Sequence, residues 1–195
     1  MSSSPEVVDL YARSVDAFLE AVGRVPDDAW TAPTPCTDWD VRALVSHVVG
    51  EDRWVVPLLD GRTIADVGDA LDGDLLGAAP REAAVAAGKS ASAAFAEPGA
   101  TERTVHLSFG DFAGAEYAWQ VLVDHVVHTW DLLAAIGADR SQDPGLVAAS
   151  AGWWSGWEEG YRGAGAVGPR VEVPAGAPAQ DRLIGSFGRD PAWTA

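Results

Sequence analysis

The sequence predicts a mainly α protein, a four-helix bundle of up-down-down-up-like course with short extended and helical additions at its C-terminal end. Three observations predict it. Four long stretches carry apolar residues at helical spacing, only two short segments alternate as strands do, and prolines and glycines fall between the periodic stretches. With 195 residues, 48% of them hydrophobic, the chain fits one domain spanning 1–195 with a real core.

The first helix is expected from Glu6 to about Val22, where Val8, Tyr11, Val15, Phe18, Leu19 and Val22 recur at three- and four-residue steps. Pro26, Pro33 and Pro35 deny its continuation, and Trp30 should pin the connection to the core. Thr37-Asp38-Trp39-Asp40 reads as a capping box with Asp40 at N3, opening a second helix that turns Val41, Leu44, Val45, Val48 and Val49 inward. Pro57 kinks or ends that helix, and Gly61 closes it. Residues 62–79 read as an Asp- and Gly-rich loop with one helical turn around Ile64 to Leu71. Pro80 suits the first position of a third helix, which runs to the Pro98-Gly99 break with alanines that permit close packing. Thr104 to Phe112 alternates as a short strand or extended arm, with His106 facing solvent.

The fourth long helix, Gly114 to Gly137, has the most chemical content. Asp124 and His128 stand at i and i+4, on one face and about one turn apart, a spacing that lets two side chains share a metal ion. Tyr117, Gln120, Asp124, His128 and Asp131 share one side, opposite an apolar stripe that includes Trp119, Leu122, Val126 and Trp130. An ordinary solvent face is the plain alternative. Against it, no Lys or Arg lies between Gly114 and Asp139, although exposed helix faces usually carry them. In the second helix His47 shares its side with Glu51 and Trp54, so a further ligand can come from there. After Gly137 a tryptophan-rich helix is expected near Gly145 to Arg162. An extended piece at 170–173 and a short helix from Ala179 to Phe187 follow. Helix-face packing accounts for most of the nine tryptophans.

Composition excludes several classes. A net charge of −16, from 29 acidic against 13 basic residues, argues against nucleic acid and anionic membranes as partners. The start lacks a basic and then apolar leader pattern and no long apolar run occurs, so a soluble, cytoplasmic protein is expected. A single cysteine, Cys36, leaves any metal site to histidines and carboxylates. The residue reads as a small buried hydrophobe, with a reactive thiol near a helix start as the alternative. No GxGxxG, Walker, GxSxG or HExxH pattern is present. What remains is His47 with Asp124 and His128, two imidazoles and a carboxylate. Such a set holds Zn²⁺, Ni²⁺ or Fe²⁺ and leaves coordination positions open.

The segments PTPCTDWDVRALVSHVVGEDRW, VLVDHVVHTWDLLAAIG and APAQDRLIGSFGRDPAW resemble actinobacterial metal-binding proteins related to the N-terminal domain of mycothiol-dependent maleylpyruvate isomerase, within the DinB/YfiT-like superfamily. The resemblance implies a DinB-like bundle with a divalent metal at one end, held by the positions His47, Asp124 and His128, and Zn²⁺ is the first choice for it. It further implies a metal that activates a low-molecular-weight thiol, with mycothiol as cosubstrate. Two departures stand out. The isomerase has Glu where this chain has Asp124, which raises the question of a helix shift or of His125 or Glu51 joining the shell. Its sterol-carrier-like second domain has no counterpart here, so the isomerase reaction is not carried over.

These readings converge on a metal-dependent thiol transferase or isomerase of small electrophiles. A non-catalytic metal- or ligand-binding bundle and a metal-assisted hydrolase remain as rivals. Asp131, three residues after His128, is the candidate catalytic residue, either accepting the imidazole's second N–H or acting as a base. The acidic balance favours a neutral electrophile unless Arg53 or Arg189 offsets it locally. A homodimer is left open.

Overall fold

The computed structural model describes residues 4–195. Helix α1 spans Ser4–Gly23 and α2 spans Val41–Leu59, with a single turn α3 at Ile64–Val67. Helix α4 spans Pro80–Phe95. A 3₁₀ turn at Ala100–Glu102 then leads into strands β1, Thr104–Leu107, and β2, Gly110–Ala113. Helix α5, Gly114–Ala135, follows directly, then α6, Pro144–Gly163, and α7, Ala179–Ser186. The four long predicted stretches are therefore α1, α2, α4 and α5, and the protein is mainly helical.

Two core clusters fix the bundle's course. One joins Val7 and Leu10 of α1 to Leu58 and Leu59 of α2, Phe95 of α4, and Ala118 of α5. The other joins Phe18 and Val22 of α1 to Val41 and Leu44 of α2, Ala84 of α4, and Leu132 of α5. The start of α1 thus lies with the ends of α2 and α4 and the start of α5, which is an up-down-down-up arrangement. Helix α5 packs against α1, α2 and α6. Its polar side is covered and not a solvent face, in line with the lack of Lys and Arg along it, and Tyr117, His128 and Asp131 are all buried.

The ends of the helices follow local chemistry. Asp40, not Thr37, is the N-cap of α2, and its carboxylate accepts the Ala43 N–H at 2.8 Å. Thr37 is kept outside because the preceding loop closes on itself. The Thr34 hydroxyl donates to Trp39 O (2.8 Å), Trp39 N–H donates to Cys36 O (2.8 Å), and Val41 N–H donates to Ala32 O (3.0 Å). Pro57 neither ends nor breaks α2, which continues to Leu59. Near the helix end, the carbonyl that its missing N–H leaves free costs little. At the end of α5, Gly137 adopts φ +64° while its N–H reaches Ala134 O and that of Ala138 reaches Leu133 O. This closes the last turn in a Schellman motif.

The alternating segment forms a hairpin, with Thr104 opposite Ala113 and Leu107 opposite Gly110, and His106 bonds Asp111 at 2.8 Å. The piece at 170–173 is extended without forming a strand, tied by Val171 N–H to Gly185 O at 2.9 Å. No helix among the described residues is long and apolar enough to cross a membrane.

Between the two clusters lies a buried polar contact set. The Tyr11 hydroxyl donates to Asp52 Oδ1 at 2.6 Å, and His125 Nε2 lies 3.3 Å from the same oxygen. His125 Nδ1 is 2.8 Å from Val121 O. Burial alone would lower the His125 imidazole, but Asp52 outweighs it and raises the pKa.

Replacing Tyr11 by Phe removes a hydrogen bond to a buried carboxylate and should cost about 1.5–3 kcal/mol in urea unfolding. Gly114→Ala should cost about 2 kcal/mol or more, because a Cβ there would stand 2.1 Å from the fixed backbone oxygen of Ala100. Gly88→Ala should cost less. Its Cβ meets the Val15 Cγ1 methyl at 2.7 Å, and the helix gains about 1 kcal/mol of propensity in return.

Candidate metal centre

The facing sides of α2 and α5 bring His47, Asp124 and His128 together on the wall of a cavity of about 580 Å³. His47 Nε2 lies 3.2 Å from Asp124 Oδ2, and His128 Nε2 lies 3.3 Å from Asp124 Oδ1. One donor atom from each of the three falls within 4.8 Å of the other two. His47 and Asp124 keep 28% and 29% of their side chains open, while His128 is buried to 6%. The shorter Asp124 side chain therefore reaches both imidazoles with no shift of α5.

The set fits a divalent ion on two counts. Metal bonds of about 2.0–2.1 Å in tetrahedral geometry separate neighbouring ligands by roughly 3.3 Å, the spacing seen between Asp124 and each imidazole. Asp124 Oδ2 is also buried without a well-formed hydrogen bond. Burial would raise the Asp124 carboxyl, but His128 and His47 outweigh it and hold it well below the usual carboxylate range.

Behind this face a second layer is closed. Asp131 Oδ2 is 2.9 Å from His128 Nδ1, 3.2 Å from Cys36 Sγ and 3.2 Å from Arg189 Nη2. Arg189 Nη2 also approaches Cys36 Sγ at 3.0 Å. Asp131 is fully buried, and His128 and Arg189 overcome the effect of burial and hold its carboxyl below the ordinary value. The His128 imidazole is raised well above its usual pKa, since Asp124, Asp131 and Cys36 outweigh burial. Cys36, His128 and Asp131 satisfy the same proximity test as the first triad. A cation among them would confront the Arg189 guanidinium, so they are the poorer nest.

Other residues divide clearly. His125 faces Asp52 and Val121, away from the triad, whereas Glu51 lines the cavity, its carboxyl raised by burial and by Asp124. Arg53 donates to Leu75 O and does not line the cavity, while Arg189 does. Trp39, from the closed loop, packs its ring 4.7 Å from that of His47 and 5.6 Å from that of His128. Trp39 and Cys36 belong to the PTPCTDWD loop, where Cys36 reads as a small core residue with a reactive thiol as the alternative, and the loop's position just before a helix that carries a candidate ligand was the available signal. The tryptophans of α6 pack as expected, Trp154 in the core and Trp153 and Trp157 against it, and Trp153 and Trp154 also line the cavity with Tyr161.

The family model described as mycothiol maleylpyruvate isomerase N-terminal domain matches residues 11–133, a span holding Cys36, His47, Asp124, His128 and Asp131. Two uncharacterized proteins of Mycobacterium tuberculosis, MT0763 from strain CDC 1551 and Rv0738 from strain H37Rv, are each 32% identical over 141 residues. That covers 70% of this chain and 71% of each relative. No solved structure matches significantly. With nearly two thirds of its length inside the matched span, the chain belongs to the mycothiol maleylpyruvate isomerase N-terminal domain family.

Proposed function

We propose that His47, Asp124 and His128 bind one divalent ion, most simply Zn²⁺, with Ni²⁺ or Fe²⁺ as alternatives. We further propose that the cavity beside it joins a low-molecular-weight thiol to a small electrophile, as a thiol transferase or isomerase. The observation that carries this reading is the convergence of two imidazole Nε2 atoms and one carboxylate on the wall of a roomy cavity. Family membership supports mycothiol as the thiol. A bound ion would supply positive charge that favours the thiolate form of a thiol presented to it.

The chain's own residues have distinct parts in this scheme. Asp131 holds His128 by accepting from Nδ1, which leaves Nε2 facing the cavity, and it acts as a positioning residue. A direct role as a base on substrate is disfavoured because the carboxylate is fully buried and taken up by His128, Cys36 and Arg189. Trp39 covers one side of both imidazoles and limits their exposure to water. Tyr161, its phenol pushed up to about 12 chiefly by burial, remains protonated at neutral pH on the opposite wall.

Metal binding, thermal stability and turnover test this reading. Purified protein should hold close to one divalent ion per chain, and His47→Ala or His128→Ala should lose most of it by elemental analysis. Asp131→Ala should weaken metal affinity about 10- to 100-fold. Chelation should lower the melting temperature without unfolding the protein, because the ion adds to a core that already stands. Metal-loaded protein given an epoxide or chlorodinitrobenzene should turn over with mycothiol and stop without thiol, and His128→Ala should abolish turnover. Equal turnover without thiol would shift the reading to hydrolysis, and no turnover across a broad panel would leave a non-catalytic bundle.

A further inference from the structure

The cavity beside the candidate ligands is lined by residues with donors that the protein does not use. Tyr117 and Trp154 are each 3% exposed and both line the cavity, yet Tyr117 Oη and Trp154 Nε1 have no hydrogen-bond partner. Gln120 Nε2, also at the cavity, is likewise without one. The contrast with Trp153 is informative, since its N–H donates to Glu116 at 2.8 Å. Buried polar groups are nearly always paired, so a donor left unpaired on a residue that lines a cavity is one that a molecule entering it can engage. Burial raises the Tyr117 phenol well above its usual pKa, so its hydroxyl is a donor at neutral pH.

Two further features narrow the ligand. Aromatic rings run from the surface to the cavity wall. Exposed Phe109 lies 5.2 Å from Phe112, Phe112 lies 6.1 Å from Trp157, and Trp157 stacks on Trp153 at 5.8 Å. Rings favour flat apolar bodies. The charge balance opposes anions. Asp38, Glu51 and Asp124 line the cavity, and its one lining guanidinium, Arg189, is already engaged by Asp131. Even with a divalent ion in place, these three carboxylates leave no positive excess to attract a carboxylate substrate.

We propose that the cavity takes an uncharged carbonyl compound with a flat apolar body, its oxygen accepting hydrogen bonds from Tyr117 Oη and Trp154 Nε1. This rests on the reading of the cavity as the reaction site and names the electrophile that it selects.

The test is binding by isothermal titration, with no thiol and no turnover, using three probes of similar size: 1-tetralone, tetralin and 1-naphthoate. The ketone should bind at least about tenfold more tightly than the hydrocarbon and the carboxylate, the worth of one good hydrogen bond. Tyr117→Phe and Trp154→Phe should each lose about that factor for the ketone and leave tetralin binding unchanged, which also reports that the cavity is intact. Equal binding of ketone and hydrocarbon, stronger binding of the carboxylate, absence of binding by all three, or unchanged ketone binding in the double variant would overturn the proposal. Metal content is measured on the same samples, so failure of the metal reading and failure of the carbonyl subsite are separate results.

Discussion

The structure depends on one constraint: α5 is buried along most of its length while carrying Asp124, His125, His128 and Asp131 within eight residues. Ionisable groups in such a place must be compensated or they destabilise the fold. Each compensation recruits another part of the chain. Asp52 of α2, with Tyr11 of α1, meets His125. Arg189, which follows α7, meets Asp131, and the loop before α2 brings Cys36 to the same carboxylate. The bundle, its connecting loop and its C-terminal tail are thereby tied to one helix.

The compensation is uneven, and the unevenness gives the site its chemical character. His125 and Asp131 are met on every side by groups of the protein itself. Asp124 meets His128 and His47 at the wall of a cavity and keeps an oxygen without a good hydrogen bond. That is an arrangement in which a cation stabilises more than the protein alone does. Part of the cavity lining comes from α6 and Phe187, which lie outside the span matched by the family model. The family region thus carries the candidate metal ligands, while the segment beyond it shapes what they meet.

The helical pattern of α1, α2, α4 and α5 was legible because each turns an apolar stripe inward at regular spacing, and the glycine that ends α5 does so by its conformation. The pairing of Asp124 with His128 was legible for the same reason, since helical spacing alone puts them on one face. The cap of α2 was misread because Thr37 and Asp40 both suit an N-cap, and only the closed loop from Thr34 to Trp39 decides between them. The contacts of Cys36 and Arg189 with Asp131 were out of reach, because they join residues 95 and 58 positions apart and no local pattern encodes contacts of that range. The burial of α5 on its polar side was legible only as a lack of Lys and Arg along it, while the helices that cover it, α2 and α6, lie beyond what the wheel shows.

The most direct test of the central claim is anomalous diffraction at the absorption edge of the bound metal, on crystals of protein purified without chelator. The account predicts one peak per chain, bonded to His47 Nε2, His128 Nε2 and a carboxylate oxygen of Asp124. A peak among Cys36, His128 Nδ1 and Asp131, or no peak after soaking with zinc, would contradict it.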